Sequence, residues 1–212
     1  MPAPAEPQPR IVVTGALVHR TPTRTVQEDL ATDGPLIAAS ADGAAEPLVI
    51  DGRGASVVPL LVESVFAAPR PPAPDAFDLG PGRPATFAVV DGTVAPHRIT
   101  RMLVVDPRAL RAVVVDGRVV VRDGVATRRR GTGHAPDDPR LGAWTDPRRD
   151  MTQYLTADGR YSERRGTTRD AYTGSFWLDG DRITYLDDTG FWAFGQYHEG
   201  VLHHAGFVLH RA

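Results

Sequence analysis

The residues best equipped for chemistry crowd into the last third of the chain. Asp187 and Asp188 stand together in Asp187-Asp188-Thr189-Gly190, His203 and His204 are likewise adjacent, and Tyr172 lies upstream of both pairs. A carboxylate, imidazole or phenol partly withdrawn from water can give or take a proton near neutral pH, so these five are the candidate catalytic groups. In a strand, neighbours face opposite sides. Tyr185 and Asp187 therefore share one face, Leu186 and Asp188 the other, and at most one of the two histidines enters an interior. All three Trp and all five Tyr of the chain also fall after residue 141. Tyr154, Trp177, Tyr185, Phe191 and Trp192 are candidates for lining a ligand pocket, with Arg165, near Glu163 and Arg169, as an anchor for an anionic group. Plainer roles stand beside each of these. The aspartates suit a turn cap accepting backbone N–H groups, a histidine can be hydrogen-bonded within a wall, aromatic rings fill cores, and strand-end charge is usually solvated.

The elements that must position these groups read as strands. Short β-rich runs, Ile11 to Leu17, Leu48 to Ile50, Val57 to Leu61, Phe87 to Val90, Met102 to Val105, Ala112 to Val115 and Val119 to Val121, are bounded by Gly, Asp or Pro. Asp116-Gly117 between the last two is a tight-hairpin signal. Pro69 to Pro74 cannot sit in a helix or a ladder and reads as an exposed extended connection. Only Pro107 to Leu110 invites a helical turn. Residues 128–141 are polar and rich in Arg, Gly and Pro, which marks a linker between a first unit, 10–127, and a second, 142–212. In the second, Asp158-Gly159, Asp179-Gly180 and Glu199-Gly200 recur at strand-length spacing, the pattern of an antiparallel meander or barrel. The fold class expected is all-β.

Composition removes several functions. At 212 residues, with 42% hydrophobic and 24% charged residues, the chain suits a globular protein of one or two domains. A net charge of -2 supplies no basic field for nucleic acid. There is no cysteine, hence no disulfide, thiolate nucleophile or Cys-ligated zinc. Every basic side chain except histidine is Arg, which excludes a Schiff-base lysine. The chain carries no phosphate loop, HExxH or GxSxG. Met1 to Pro9 lacks an apolar signal core and no run approaches a membrane span, so a cytoplasmic protein without membrane contact is expected.

Two resemblances follow. Ile11-Val12-Val13-Thr14-Gly15-Ala16, Val49-Ile50-Asp51-Gly52-Arg53-Gly54 and Pro59-Leu60-Leu61-Val62-Glu63-Ser64 resemble the opening of amidohydrolase-superfamily enzymes. Gly80-Pro81-Gly82-Arg83-Pro84-Ala85 and Arg111 to Val120 resemble their closing segment. The resemblance covers residues 11–125 and implies the composite β-sandwich that flanks a metal-binding TIM barrel in that family. Here Leu60 stands in place of a Gly, Val65 and Ala67 occupy the two His positions, and Phe66 to Asp78 replaces the barrel, so no metal ligand and no metal-dependent hydrolase activity is expected. His19 and His97 are expected at the surface. The second resemblance rests on Thr156 to Arg160, Tyr161 to Gly166, Ala171 to Gly174, Asp187 to Phe191 and Val201 to Gly206. These pieces resemble a family of small bacterial domains, here called the Atu-type barrel, and imply a lipocalin- or avidin-like, calycin-type β-barrel over residues 142–211.

A small barrel can hold one small molecule at its mouth. The expected function is binding of a small, largely apolar organic molecule there, with an isomerisation, cyclisation or lyase step of a specialised pathway needing neither metal nor cofactor. A non-catalytic carrier or sensor, or a purely structural oligomerisation module, are the alternatives. The uncovered edges of the first unit suggest a homodimer.

Overall fold

A computed structural model describes residues 9–42, 46–101, 104–129 and 133–212. The expectations that touch the N-terminus before Pro9, Met102 and Leu103, and Arg130 and Gly131 fall outside these residues. The all-β expectation holds in both halves. No helix among the described residues is long and apolar enough to cross a membrane.

The first half contains β1 (Ile11–Thr21), β2 (Arg24–Asp33), β3 (Leu36–Ile37), β4 (Leu48–Asp51), β5 (Ala55–Pro59), β6 (Phe87–Asp91), β7 (Leu110–Val115), β8 (Arg118–Arg122) and β9 (Val125–Ala126). They form a nine-stranded mixed sheet in the order β3-β2-β1-β5-β6-β7-β8-β9, with β4 also on β1. The parallel pairings are β1 with β4 and with β5. Both follow one edge of β1 because the chain turns tightly at Gly52, where a Cβ would lie 2.7 Å from the Thr14 carbonyl oxygen. At the other end, β3 bonds to the segment leading into β6, through Ile37 N to Arg83 O and Ala85 N to Pro35 O, both 2.8 Å. The sheet thus curls until its β3 edge meets the segment before β6.

Alternation along the central strands buries both faces. Phe87 and Val89 of β6 and Ala112 and Val114 of β7 share a core with Ile11, Val13 and Val18. Ala88, Val90, Val113 and Val115, one residue out of phase, point into a second core. The Asp116-Gly117 hairpin joins β7 to β8 with both residues at positive φ, 46° and 74°, as a two-residue turn of this hand requires. Pro69 to Pro74 is mostly exposed, without regular structure until a turn begins at Pro74, as expected. Beyond the turn at Pro107–Ala109, a 3-10 turn at Glu63–Ala67 and a six-residue α-helix, Pro96–Arg101, were not legible in the sequence. His97 is exposed on that helix, but His19 is 2% exposed, correcting its expected surface position. The chain before β6 returns to this end of β1, Leu79 N donating to the carbonyl of the next residue, Arg20.

The second half is a closed barrel of β10 (Gly142–Asp146), β11 (Met151–Leu155), β12 (Arg160–Arg165), β13 (Thr168–Asp179), β14 (Arg182–Asp187), β15 (Trp192–His198), β16 (Val201–His204) and β17 (Phe207–Arg211). Each strand pairs antiparallel with the next and β17 closes on β10. One end is filled by Trp144, Met151, Leu155, Phe176, Ile183, Leu202 and Leu209. The end of the linker covers it: His134 stacks on Phe176 at 4.8 Å, and the Arg140 carbonyl accepts from the Trp144 indole and the Tyr197 hydroxyl. The two halves share a core, in which Trp177, Leu186, Trp192 and Phe194 from the barrel's outer wall meet Val58, Leu60, Leu61, Val62 and Val65. A backbone bridge between Val105 and Trp192 adds to it.

Candidate functional site

The open end of the barrel holds a cavity of about 500 Å³ lined by Tyr161, Glu163, Arg165, Tyr172, Asp187, Phe191, His204 and Phe207, with Val104 reaching its lip from the first half. The strands aim these groups inward by period-two alternation: Tyr161, Glu163 and Arg165 on β12, Tyr185 and Asp187 on β14, His204 on β16. Gly174 makes room for the Tyr161 ring. A Cβ there would lie 2.6 Å from that ring and 2.3 Å from the Leu186 carbonyl oxygen.

Beneath the aromatic rim runs a buried polar chain. The Tyr185 hydroxyl donates to Gln153 Oε1 at 2.8 Å, and Gln153 Nε2 donates to Glu163 Oε1 at 3.1 Å. The same carboxylate oxygen faces His204 Nε2 at 3.4 Å, while Glu163 Oε2 accepts from Arg165 Nη2 at 2.8 Å and Nε at 3.1 Å. Arg165 is held in turn over the rings of Tyr172 and Phe207, at 4.5 and 5.2 Å. Burial alone would push the Glu163 carboxyl up, but His204 and Arg165 together outweigh it and hold this acid below the usual glutamate range. Burial, with Asp187 and Glu163 adding to it, pushes the Tyr161 phenol well up, so it remains a neutral donor. His204 is 4% exposed and its Nδ1 has no partner among the described residues, which departs from the rule that buried polar atoms are bonded. With Nε2 turned to an ionised glutamate, Nδ1 is the ring nitrogen left without a partner.

Five of the sequence candidates meet in this cavity: Asp187, His204, Tyr172, Arg165 and Phe191. Tyr185 lies directly below, 1% exposed, its ring 4.4 Å from that of His204. Asp187 also serves as a turn cap, Oδ1 accepting from Thr189 N at 2.7 Å and from the Thr189 hydroxyl, while Oδ2 receives the Tyr161 hydroxyl at 3.5 Å.

The others are corrected. Asp188 sits outside the barrel, bonded to Arg160 at 2.9 Å and to the Thr173 hydroxyl at 2.6 Å. His203 also points outward, toward the first half, where its Nδ1 lies 2.8 Å from Ser64 Oγ. Trp177 and Trp192 stack on each other at 5.7 Å in the shared core, their indoles donating to the Arg129 and Gly124 carbonyls at 3.1 Å. Neither lines the cavity. Tyr154 is exposed on the outer wall of β11 in a groove with Ser162, Arg164 and Arg169. In each case the cause is strand parity. Tyr161, Gln153 and Phe207 were missed as site residues, although the parity of Tyr161-Glu163-Arg165 in one strand carried the signal. Nothing in the sequence pointed to Val104.

A family model described as "Agrobacterium tumefaciens protein Atu4866" matches residues 137–211. Among solved structures, the solution structure of the protein Atu4866 from Agrobacterium tumefaciens is 39% identical, covering 35% of this chain and 95% of that one, with a TM-score of 0.32. A search of the curated proteins found no match. The matched region begins within the linker and leaves the N-terminal sheet outside it.

Proposed function

Through its C-terminal region the chain belongs to the Atu4866 family, and from that premise we propose that the barrel binds a small, flat organic molecule at its open end and moves a proton on it. The observation that carries this reading is a ligand-sized cavity whose wall includes His204, set beside an ionised Glu163 and left with one ring nitrogen unpartnered. In this reading His204 is the acid–base group, Glu163 orients it, and Tyr172, Phe191 and Phe207 hold the apolar body of the ligand. An isomerisation, cyclisation or lyase step requires no more than this, because side chains alone carry the proton. We read the N-terminal sheet, on its amidohydrolase-like motifs, as a scaffold without its metal barrel that supplies a wall and a lip to the site. Val65, one of the two positions at which that family carries a metal-ligating His, packs here in the core shared with the barrel.

The test is native mass spectrometry of the full chain after incubation with a pooled extract of small organic molecules, followed by turnover of whatever is retained. His204→Gln keeps a donor toward Glu163 but loses the titratable nitrogen. It should lower turnover roughly 10²- to 10⁴-fold while retention changes only a few-fold. Retention of a molecule that is released chemically unchanged by the wild type would make the protein a carrier instead, and unaltered turnover in the variant would remove His204 from the mechanism.

A further inference from the structure

The charges around the cavity do not cancel. Arg165 is committed to Glu163 at 2.8 Å and capped by two rings. Asp187, 9% exposed, has only hydroxyl and backbone N–H partners among the described residues, and no cation. Its Oδ2 is the less satisfied oxygen, with one long bond from Tyr161, and a carboxylate can accept several. Around it the cavity offers the ring of Phe191 and what Arg165 leaves uncovered of Tyr172, each residue 46% exposed. An uncompensated carboxylate beside aromatic faces is the combination that recognises organic cations.

Resting on the cavity reading above, the geometry points to a ligand that carries a protonated amine or nitrogen heterocycle on a flat apolar body, the cationic nitrogen at Asp187 and the body against Tyr172 and Phe191. Asp187 also helps, beside Glu163 and burial, to hold the Tyr161 phenol protonated.

Three probes of similar shape test this on the full chain: phenethylammonium, 3-phenylpropanoate and 2-phenylethanol, titrated by NMR with the amides of Thr189 and Ala205 as reporters of the cavity. The ammonium should bind at least about tenfold more tightly than the carboxylate, with the alcohol between them, and added salt should weaken it. Asp187→Asn keeps an acceptor for the Thr189 turn and should bring the ammonium and the alcohol within about threefold of each other. Should that variant fail to fold, the salt dependence in the wild type and the loss of affinity in Phe191→Ala decide instead. Equal binding of all three overturns the cation assignment, as does tighter binding of the carboxylate that disappears in Arg165→Gln; in both cases the cavity reading survives. If none of the probes moves the reporters at millimolar concentration, both readings fall.

Discussion

Acid should loosen the joint between the two halves before it titrates the carboxylates, and His203 is the group that makes it do so. His203 is 1% exposed, held to Ser64 on one side and without a partner at Nε2 on the other. Burial, with smaller contributions from His198 on β15 and His210 on β17, brings its pKa from 6.5 down to about 4. The unfolded chain therefore takes a proton that the folded one refuses, so this contribution to stability is complete above pH 6.5 and is lost as the pH falls toward 4. The shift of about 2.5 units corresponds to roughly 3 kcal/mol at pH 4, and to about 1.4 kcal/mol at pH 5.5, where the reference carboxylates are still ionised. His203→Asn retains an amide where Nδ1 meets Ser64 but cannot take the proton. Urea unfolding followed by the emission of Trp177 and Trp192, which sit in the shared core, should show wild type losing about 1 kcal/mol more than the variant between pH 7.5 and 5.5. His19 and His134 are shifted the same way by burial and remain in both proteins, so the difference between them isolates His203. Parallel pH profiles would refute the reasoning.

Other expectations concern the wall and the lip. Trp192→Ala removes a fully buried ring and its bond to Gly124 and should cost about 3–5 kcal/mol, read as a lower urea midpoint. Val104→Trp, at a lip position 39% exposed, should leave the midpoint within about 0.5 kcal/mol while weakening phenethylammonium binding several-fold. Asp188→Ala breaks a pair in which both side chains are about 40% exposed, 41% and 43%, and should change stability by less than about 1 kcal/mol with no effect on ligand binding.

Local rules made much of the barrel readable. The Asp-Gly and Glu-Gly turns, the strand-length spacing and the opposite facing of Asp187 and Asp188, and of His203 and His204, follow from backbone conformation and a side-chain period of two. Parity tells which residues travel together, but not which set points inward, and here both sets are apolar enough to be buried. Trp177 and Trp192 look like pocket residues because a wall with large aromatics on its outer face is unexpected unless another layer covers it. That layer is the N-terminal sheet, more than a hundred residues away in places, and no local pattern announces it. The same nonlocality hid Val104, and it hid His19, beside which the chain returns only at Leu79, whose N–H donates to the Arg20 carbonyl.

The shared core also bears on how well the site is held. Strands β13, β14 and β15 carry Trp177, Leu186, Trp192 and Phe194 outward into that core, and Tyr172, Tyr185, Asp187 and Ala193 inward. Three of the four outward anchors are bonded through one peptide to an inward neighbour: Leu186 to both Tyr185 and Asp187, Trp192 and Phe194 to Ala193. Fixing the outer set in a close-packed interface leaves the inner set little freedom to move, and a site whose groups are already in place loses less entropy when it binds. The unmatched N-terminal sheet therefore acts on the cavity in two ways, by the side chain of Val104 at the lip and by stiffening the half of the wall that presents Asp187. In the opposite half, β16 is tied to the first half through His203 and Ser64, whereas β10, β11 and β17 contribute nothing to the shared core, so any opening that admits a ligand belongs on the side of Phe207.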